Sequence, residues 1–215
     1  FDAALQTVRD RNRVALAGSQ GLASSRAPAG SDRPMLLGLV SRFAEQKGID
    51  LVAAAAPALF DAGCDLVVLG SGDRGLEGSL ATLAARYPER MSTRIGFDDA
   101  LSRQIYGGAD AVLVPSRYEP CGLTQMYAMR YGALPIVRRT GGLADTVDDS
   151  NGFVFDRAEP DALIGAVRAA RAAFDQPDAW RSRMAAALAA DHSWPVAAGR
   201  YLDWYGALIE ASHQG

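Results

Sequence analysis

Histidine and cysteine are nearly missing from this 215-residue chain, with two of each. His192 and His213 are too few for a histidine-based metal site unless carboxylates join them, and no such cluster is visible. Cys64 and Cys121 make neither a disulfide framework nor a C-x-x-C pair, so a reducing cytosol is the simplest home expected. Long apolar runs are also lacking: no stretch reaches the roughly 18 residues that a helical membrane span needs. There is no excess of basic charge, since 22 Lys and Arg stand against 25 Asp and Glu for a net charge of −3. Nonspecific nucleic-acid binding is therefore not expected. The opening Phe1-Asp2-Ala3-Ala4 has no basic stretch leading into an apolar one, so we expect no signal peptide. It also lacks Met, as a piece of a longer chain would. No internal repeat is found. What remains is 49% apolar and 22% charged, an ordinary globular balance, and long enough for one sizeable core.

Residues 18–34 are rich in Gly, Ser, Ala and Pro and read as a loop or mobile connector. After them the chain alternates. Short apolar runs occur at Met35 to Val40, Leu66 to Leu69, Ala111 to Val114, Leu134 to Val137 and Phe153 to Phe155, with a weaker one at Thr93 to Phe97. Runs of this kind suit strands buried on both faces of a parallel sheet. Helical patterns separate them near 49–62, 75–86, 99–107, 122–131 and 160–173. Repeated βα units predict an α/β fold with a doubly wound, Rossmann-like parallel sheet. Three regions are expected: 1–34 as an N-terminal helix and linker, 35–175 as the Rossmann-like domain, and 176–215 as C-terminal helices. In that last region Trp180, Trp194, Tyr201, Trp204 and Tyr205 read first as core packing.

The most informative stretch is Pro115-Ser116-Arg117-Tyr118-Glu119-Pro120-Cys121-Gly122-Leu123-Thr124-Gln125. It lies between an apolar run and a helical pattern, which predicts strand, polar turn, helix start. A helix start offers free backbone N–H groups and a partial positive charge, so it attracts anions. Glu119 in the same turn could hold hydroxyls, and the two together suit a phosphorylated sugar; a plain βα turn is the structural alternative. Upstream, Ser41-Arg42-Phe43-Ala44-Glu45-Gln46-Lys47-Gly48 follows the first buried run. Arg42 and Lys47, a planar fork and a point charge, could clasp a diphosphate in that turn. Gly70-Ser71-Gly72-Asp73-Arg74-Gly75 is a literal G-x-G-x-x-G. It follows the second strand rather than the first, and no acid ends the next run, so the dinucleotide reading is disfavoured.

The wording from Pro115 to Gln125, continued by Tyr131-Gly132-Ala133-Leu134-Pro135 and by Arg138-Arg139-Thr140-Gly141-Gly142-Leu143-Ala144-Asp145-Thr146, closely resembles the bacterial glycogen synthase and plant starch synthase family. The likeness also takes in Val40 to Gly48 and Ser193 to Tyr201, and it covers nearly the whole chain. It implies the C-terminal, donor-binding half of a two-domain GT-B glycosyltransferase. Such an enzyme moves glucose from ADP-glucose to the non-reducing end of an α-1,4-glucan with retention, without a metal cofactor. By the same resemblance, Arg42 and Lys47 bind the donor diphosphate and stabilise it as it departs, and Gly70 and Gly72 form part of the pocket wall. Phe97 lies against the adenine where the family commonly has Tyr. Glu119 grips donor-glucose hydroxyls. Gly122, Leu123 and Thr124 present N–H groups, and Thr124 a hydroxyl, to the diphosphate.

Cys121 reads either as a thiol beside the donor sugar or as a small buried side chain. Tyr127 stands where many related retaining transferases carry a second Glu. Thr140-Gly141-Gly142 reads as a close-approach loop or as turn geometry, and Arg138 and Arg139 as cleft-lining or solvated. Between Asp149 and Gly152 the chain is shorter than the family usually is. The implied partners are ADP-glucose or ADP, the glucan acceptor and an N-terminal domain that this chain lacks; by the same resemblance the last helix of 176–215 returns toward that domain, and some of the aromatics there could meet its surface instead of the core. The implied compartment is the bacterial cytoplasm, or the plastid in a plant. The rival readings are a UDP- or GDP-sugar transferase and a stand-alone nucleotide-sugar-binding module.

Overall fold

The structure, a computed structural model, describes residues 3–26 and 33–213. Six parallel strands make one sheet: β1 (Met35–Phe43), β2 (Cys64–Gly72), β3 (Met91–Ile95), β4 (Ala111–Val114), β5 (Leu134–Arg138) and β6 (Phe153–Phe155). Their spatial order is β3-β2-β1-β4-β5-β6, the doubly wound arrangement expected of a Rossmann-like sheet. The four strands β1, β2, β4 and β5 are buried along nearly their whole length. This is why they read in the sequence as continuous apolar runs rather than alternating ones.

Nine helices connect and cover the strands among the described residues: α1 (Ala3–Ser19), α2 (Ile49–Asp61), α3 (Arg74–Arg86), α4 (Asp99–Gly108), α5 (Thr124–Arg130), α6 (Gly141–Thr146), α7 (Pro160–Phe174), α8 (Pro177–Ala189) and α9 (Trp194–His213). Helix α2 packs on α3 and α7, while α4 packs on α1 and α5. The starts follow local chemistry. Asp73 caps α3 by accepting from the Gly75 and Leu76 N–H groups, and Asp98 caps α4 by accepting from Leu101. Pro160 and Pro177 open α7 and α8, where a missing N–H costs nothing.

Three differences from expectation have physical reasons. Strand β1 does not stop at Val40 but runs to Phe43, because Ser41, Arg42 and Phe43 stay paired with Gly70, Ser71 and Gly72 of β2. Arg42 is therefore a strand residue, and only Lys47 lies in the 3-10 turn Glu45–Lys47 that follows. Second, α1 does not stand apart from the 35–175 domain but is docked on it, against α4. Two buried arginines fix it: Arg13 Nε donates to Asp110 Oδ2 at 3.1 Å, and Arg9 donates to the carbonyls of Ala109 and Tyr131. Burial lowers the Arg9 pKa to about 10, still far above neutral pH. Of the connector expected at 18–34, residues 27–32 lie outside the described residues.

Third, core packing holds for only one of the five C-terminal aromatics. Trp180 is buried, edge-on to Phe174 at 5.2 Å and stacked with Phe153 at 6.1 Å. Trp194, Tyr201, Trp204 and Tyr205 are all exposed, because α9 leaves the body of the domain and stays exposed from Arg200 to Ala211.

Candidate functional site

Strands β1 and β4 are neighbours that part early. They share register only at Leu37↔Ala111 and Gly38↔Val112, whereas β1 follows β2 from Met35 to Phe43. A crevice opens beyond their carboxyl ends, where the strand order reverses, and ligands of such sheets bind at that position. Two loops meet across it. The 3-10 turn after β1 ends at Gly48, and the segment 115–123 follows β4.

The loops are stitched to each other. The Arg117 backbone N–H donates to the Gln46 carbonyl at 2.8 Å, and Gln46 Nε2 donates to the Tyr118 carbonyl at 3.0 Å. Both terminal nitrogens of Arg117 grip Asp50, in the first turn of α2, at 2.6 Å each. Arg117 Nη1 also donates to the Glu45 carbonyl at 2.8 Å. The hydrogen bond from Arg117 holds the Asp50 carboxyl below its usual value, and the same bond raises the Arg117 pKa. On the far side, Arg138 donates to the Ser116 carbonyl at 3.0 Å, to that of Asp156 at 3.1 Å and to that of Arg117. Arg138 thus braces the loop from beneath, whereas Arg139 forms only a solvated pair with Asp156.

Within this frame Lys47 Nζ donates to Glu119 Oε2 at 2.5 Å, and Ser116 Oγ donates to the same oxygen at 3.2 Å. Glu119 is buried, yet no described residue donates to its other oxygen. Lys47 is half-buried against it. Arg42 differs: its side chain is exposed and pairs with no carboxylate among the described residues. Of the two expected cations, one is pinned and one is free.

A cavity of about 280 Å³ lies beside this cluster, bounded by the ends of β1, β2 and β3 and by α4. Arg42, Gly70 and Phe97 line it, as do Asp98, Ser102, Tyr106 and Tyr127. The Phe97 ring is 93% exposed at the rim, its whole face available for stacking. Tyr106 is buried, and that burial raises its pKa.

Gly70 and Gly72 serve the sheet. A Cβ on Gly70 would come within 1.8 Å of the Ser41 carbonyl oxygen, and one on Gly72 within 2.2 Å of that of Phe43. Gly70 nevertheless lines the cavity, while Gly72 is not among its walls. The glycine string cannot act as a dinucleotide fingerprint. The N–H groups that would receive a pyrophosphate are taken by Asp73, and the Gly72 N–H is taken by Glu77 Oε1 at 2.9 Å. Two carboxylates at that helix start would repel a further anion.

Gly122, Leu123 and Thr124 open α5 with no side-chain cap on its first turn. Cys121 beside them is exposed, which rules out the buried small-residue reading. Gln125 carries a role that sequence reasoning missed. Its buried amide nitrogen donates to the carbonyls of Cys121 and Gly122 and to the Thr146 hydroxyl, at 2.9 to 3.2 Å. Thr140-Gly141-Gly142 is a close-approach loop: the Gly142 N–H donates to the Glu119 carbonyl at 3.0 Å. The short stretch 148–152 closes as a hydrogen-bonded turn, with Asp148 accepting from Ser150 and Asn151 accepting from Asp148. Among the described residues no group of three His, Cys, Asp or Glu is placed to hold a metal ion, and no helix is long and apolar enough to cross a membrane.

Residues 34–172 match the family model described as glycosyl transferases group 1. The glycogen synthase of Anaeromyxobacter dehalogenans is 49% identical over 187 residues, 84% of this chain and 39% of that protein. That of Marinomonas sp. is 42% identical over 213 residues, 97% of this chain and 44% of that protein. Among solved structures, the catalytic domain of starch synthase IV from Arabidopsis thaliana, bound to ADP and acarbose, superposes with a TM-score of 0.82 at 33% identity. It covers 98% of this chain and 44% of that one. The chain thus spans well under half the length of these relatives, and its sheet is the Rossmann-like domain of the GT-B architecture. The chain belongs to the group 1 glycosyl transferases, with a similarity to the glycogen synthases that extends across most of its length.

Proposed function

We propose that this chain is the donor-binding half of a glycosyltransferase that moves glucose from ADP-glucose to the non-reducing end of an α-1,4-glucan, keeping the α configuration. The observation that carries the reading is the Lys47–Glu119 pair, which joins the two loops at the β1/β4 crevice, with exposed Arg42 at the end of β1 lining a neighbouring cavity. A nucleoside diphosphate brings two to three negative charges, and a free guanidinium beside a fixed ammonium complements them. The residues suit a division of labour. Phe97 offers its face to the base, Arg42 and Lys47 meet the diphosphate, and the backbone N–H groups of Gly122 to Thr124, where α5 begins, bind the same anion. Glu119 has one oxygen left for a donor-sugar hydroxyl, and exposed Cys121, two residues on, is taken to border that sugar.

Retention follows from same-face departure and attack, with no second carboxylate in the loop to act as partner to a nucleophile. Glu119, tied to Lys47, is placed to orient rather than to attack. The diphosphate leaves with its charge neutralised by the two cations, and the departing oxygen accepts the acceptor's proton. Catalysis is then positioning and charge stabilisation. The cations take the place of a metal, so chelators should have no effect. The glucan and the remaining groups belong to an N-terminal domain, and the chain alone should bind nucleotide weakly and transfer almost nothing.

Calorimetric titration with ADP, UDP and NAD tests this, repeated on Arg42→Ala and Lys47→Ala. The expected result is ADP binding weakened at least about tenfold by either change, as for loss of a charge-assisted contact. UDP preference would favour a UDP-sugar transferase. Tight ADP binding with no call on a second domain would favour a stand-alone module, and NAD binding indifferent to both substitutions would sink the proposal.

A further inference from the structure

We infer that Asp50 and Arg117 are positioning residues that set the placement of the Lys47–Glu119 pair. The inference rests on the proposed reading of that pair as donor ligands. Lys47 and Glu119 sit on different loops, each leaving a different strand, and the strands themselves stop pairing well before those loops begin. Sheet hydrogen bonding therefore does not fix the distance between the loops. What spans the gap is a short run of cross-loop bonds, and the Arg117–Asp50 fork is the only one among them with two charge-assisted contacts. Arg117 lies two residues before Glu119, and Asp50 three residues after Lys47. The clamp therefore brackets the functional pair from both sides.

Its geometry favours order over affinity for its own sake. Both partners are partly open to water, with side chains 29% and 42% exposed, so the pair adds little to stability. A fork with two parallel contacts nonetheless fixes an angle as well as a distance, which a single lysine contact cannot do. Asp50 is itself held by the first turn of α2, where a carboxylate suits the helix dipole. Arg117 also donates to the Glu45 carbonyl, in the turn that carries Lys47. Loosening the fork frees the two loops to slide, and Lys47 then meets a diphosphate off-centre. Small misplacements of such groups have large effects on what they bind.

The test compares ADP with AMP, because only ADP carries the full diphosphate. Arg117→Gln and Asp50→Asn are expected to weaken ADP about tenfold while leaving AMP within about twofold, and Arg117→Lys is expected to fall between. Melting curves are recorded alongside, so that if one variant fails to fold the other carries the result. Equal losses for ADP and AMP would mean general loosening, and unchanged ADP affinity would mean no positioning role; either overturns the inference. Lys47→Ala separates the two levels. If it leaves the ADP-to-AMP ratio unchanged, the donor reading fails and this inference with it. If it collapses the ratio and Arg117→Gln does not, this inference alone fails.

Discussion

Gly141 lies so close to Glu119 that a Cβ on it would stand 2.1 Å from the Glu119 carbonyl oxygen. Its φ of +44° adds a second reason for glycine, since L side chains rarely adopt that region. The obstacle is backbone, so it cannot swing aside. Gly141→Ala should therefore displace the loop that carries Glu119. We expect a loss of about 1–3 kcal/mol in urea unfolding, and a fall in ADP affinity measured well below the transition. Gly78, in α3 with open space around it, is the control: Gly78→Ala should stabilise by about 0.5–1 kcal/mol.

The two thiols should behave as different chemical species. Cys64 begins β2 in the core, and burial pushes its pKa up to about 12. Cys121 is exposed. A chromogenic thiol reagent at pH 8 should find one fast equivalent in the native chain and the second only on unfolding. The raised Cys64 value also has a stability consequence. Its contribution is complete below the unfolded thiol value of about 8.5–9 and is lost as pH rises toward 12. Cys64→Ala should flatten that alkaline decline.

Asp50 gives the opposite sign. Its folded pKa is lowered, chiefly by the hydrogen bond from Arg117. The stabilisation is complete above the unfolded carboxylate value of about 3.9 and disappears as pH falls through the lower folded value. Wild type and Asp50→Asn should therefore differ most near neutrality and converge in acid. Because the carboxylate is partly exposed, the difference should also shrink in high salt. Melting curves across pH and salt check both trends.

Arg13 is 2% exposed and Asp110 8% at the side chain, so their ion pair is nearly dry. Asp110 Oδ2 also accepts the Leu36 N–H at 2.8 Å, which ties α1 to the start of the central strand. Arg13→Ala should cost about 3 kcal/mol, near the low end for a broken buried pair, because Arg33 remains 3.4 Å from Asp110 Oδ1. Urea unfolding would show it. A cost below about 1 kcal/mol would mean that α1 contributes little to the domain.

Much of the frame was readable in advance because burial writes itself into strands. Ala111 to Val114 and Phe153 to Phe155 match their apolar runs residue for residue, since a strand covered on both faces has no polar positions to blur its ends. The loop motif around Glu119 was readable because its wording is distinctive. What stayed hidden was carried by groups whose role depends on distant partners. Arg9 and Arg13 face inward, against the usual habit of arginine, because carbonyls and Asp110 receive them about 100 residues away. Arg117 finds Asp50 across 67 residues, and Gln125 finds Thr146 across 21. The α9 aromatics misled for the converse reason: aromatic composition signals burial, and composition alone does not say where a helix leaves the body it follows.

The early parting of β1 and β4 sets how this domain can change over time. The opening between them comes from diverging main chains rather than from any side chain that holds it ajar. Substituting the loops can thus alter what is gripped without closing the gap, while the buried register at Leu37 and Gly38 stays untouched. Such a sheet works like the fixed jaw of a vice with exchangeable plates: selectivity can drift at the surface while the span that admits a ligand is inherited intact.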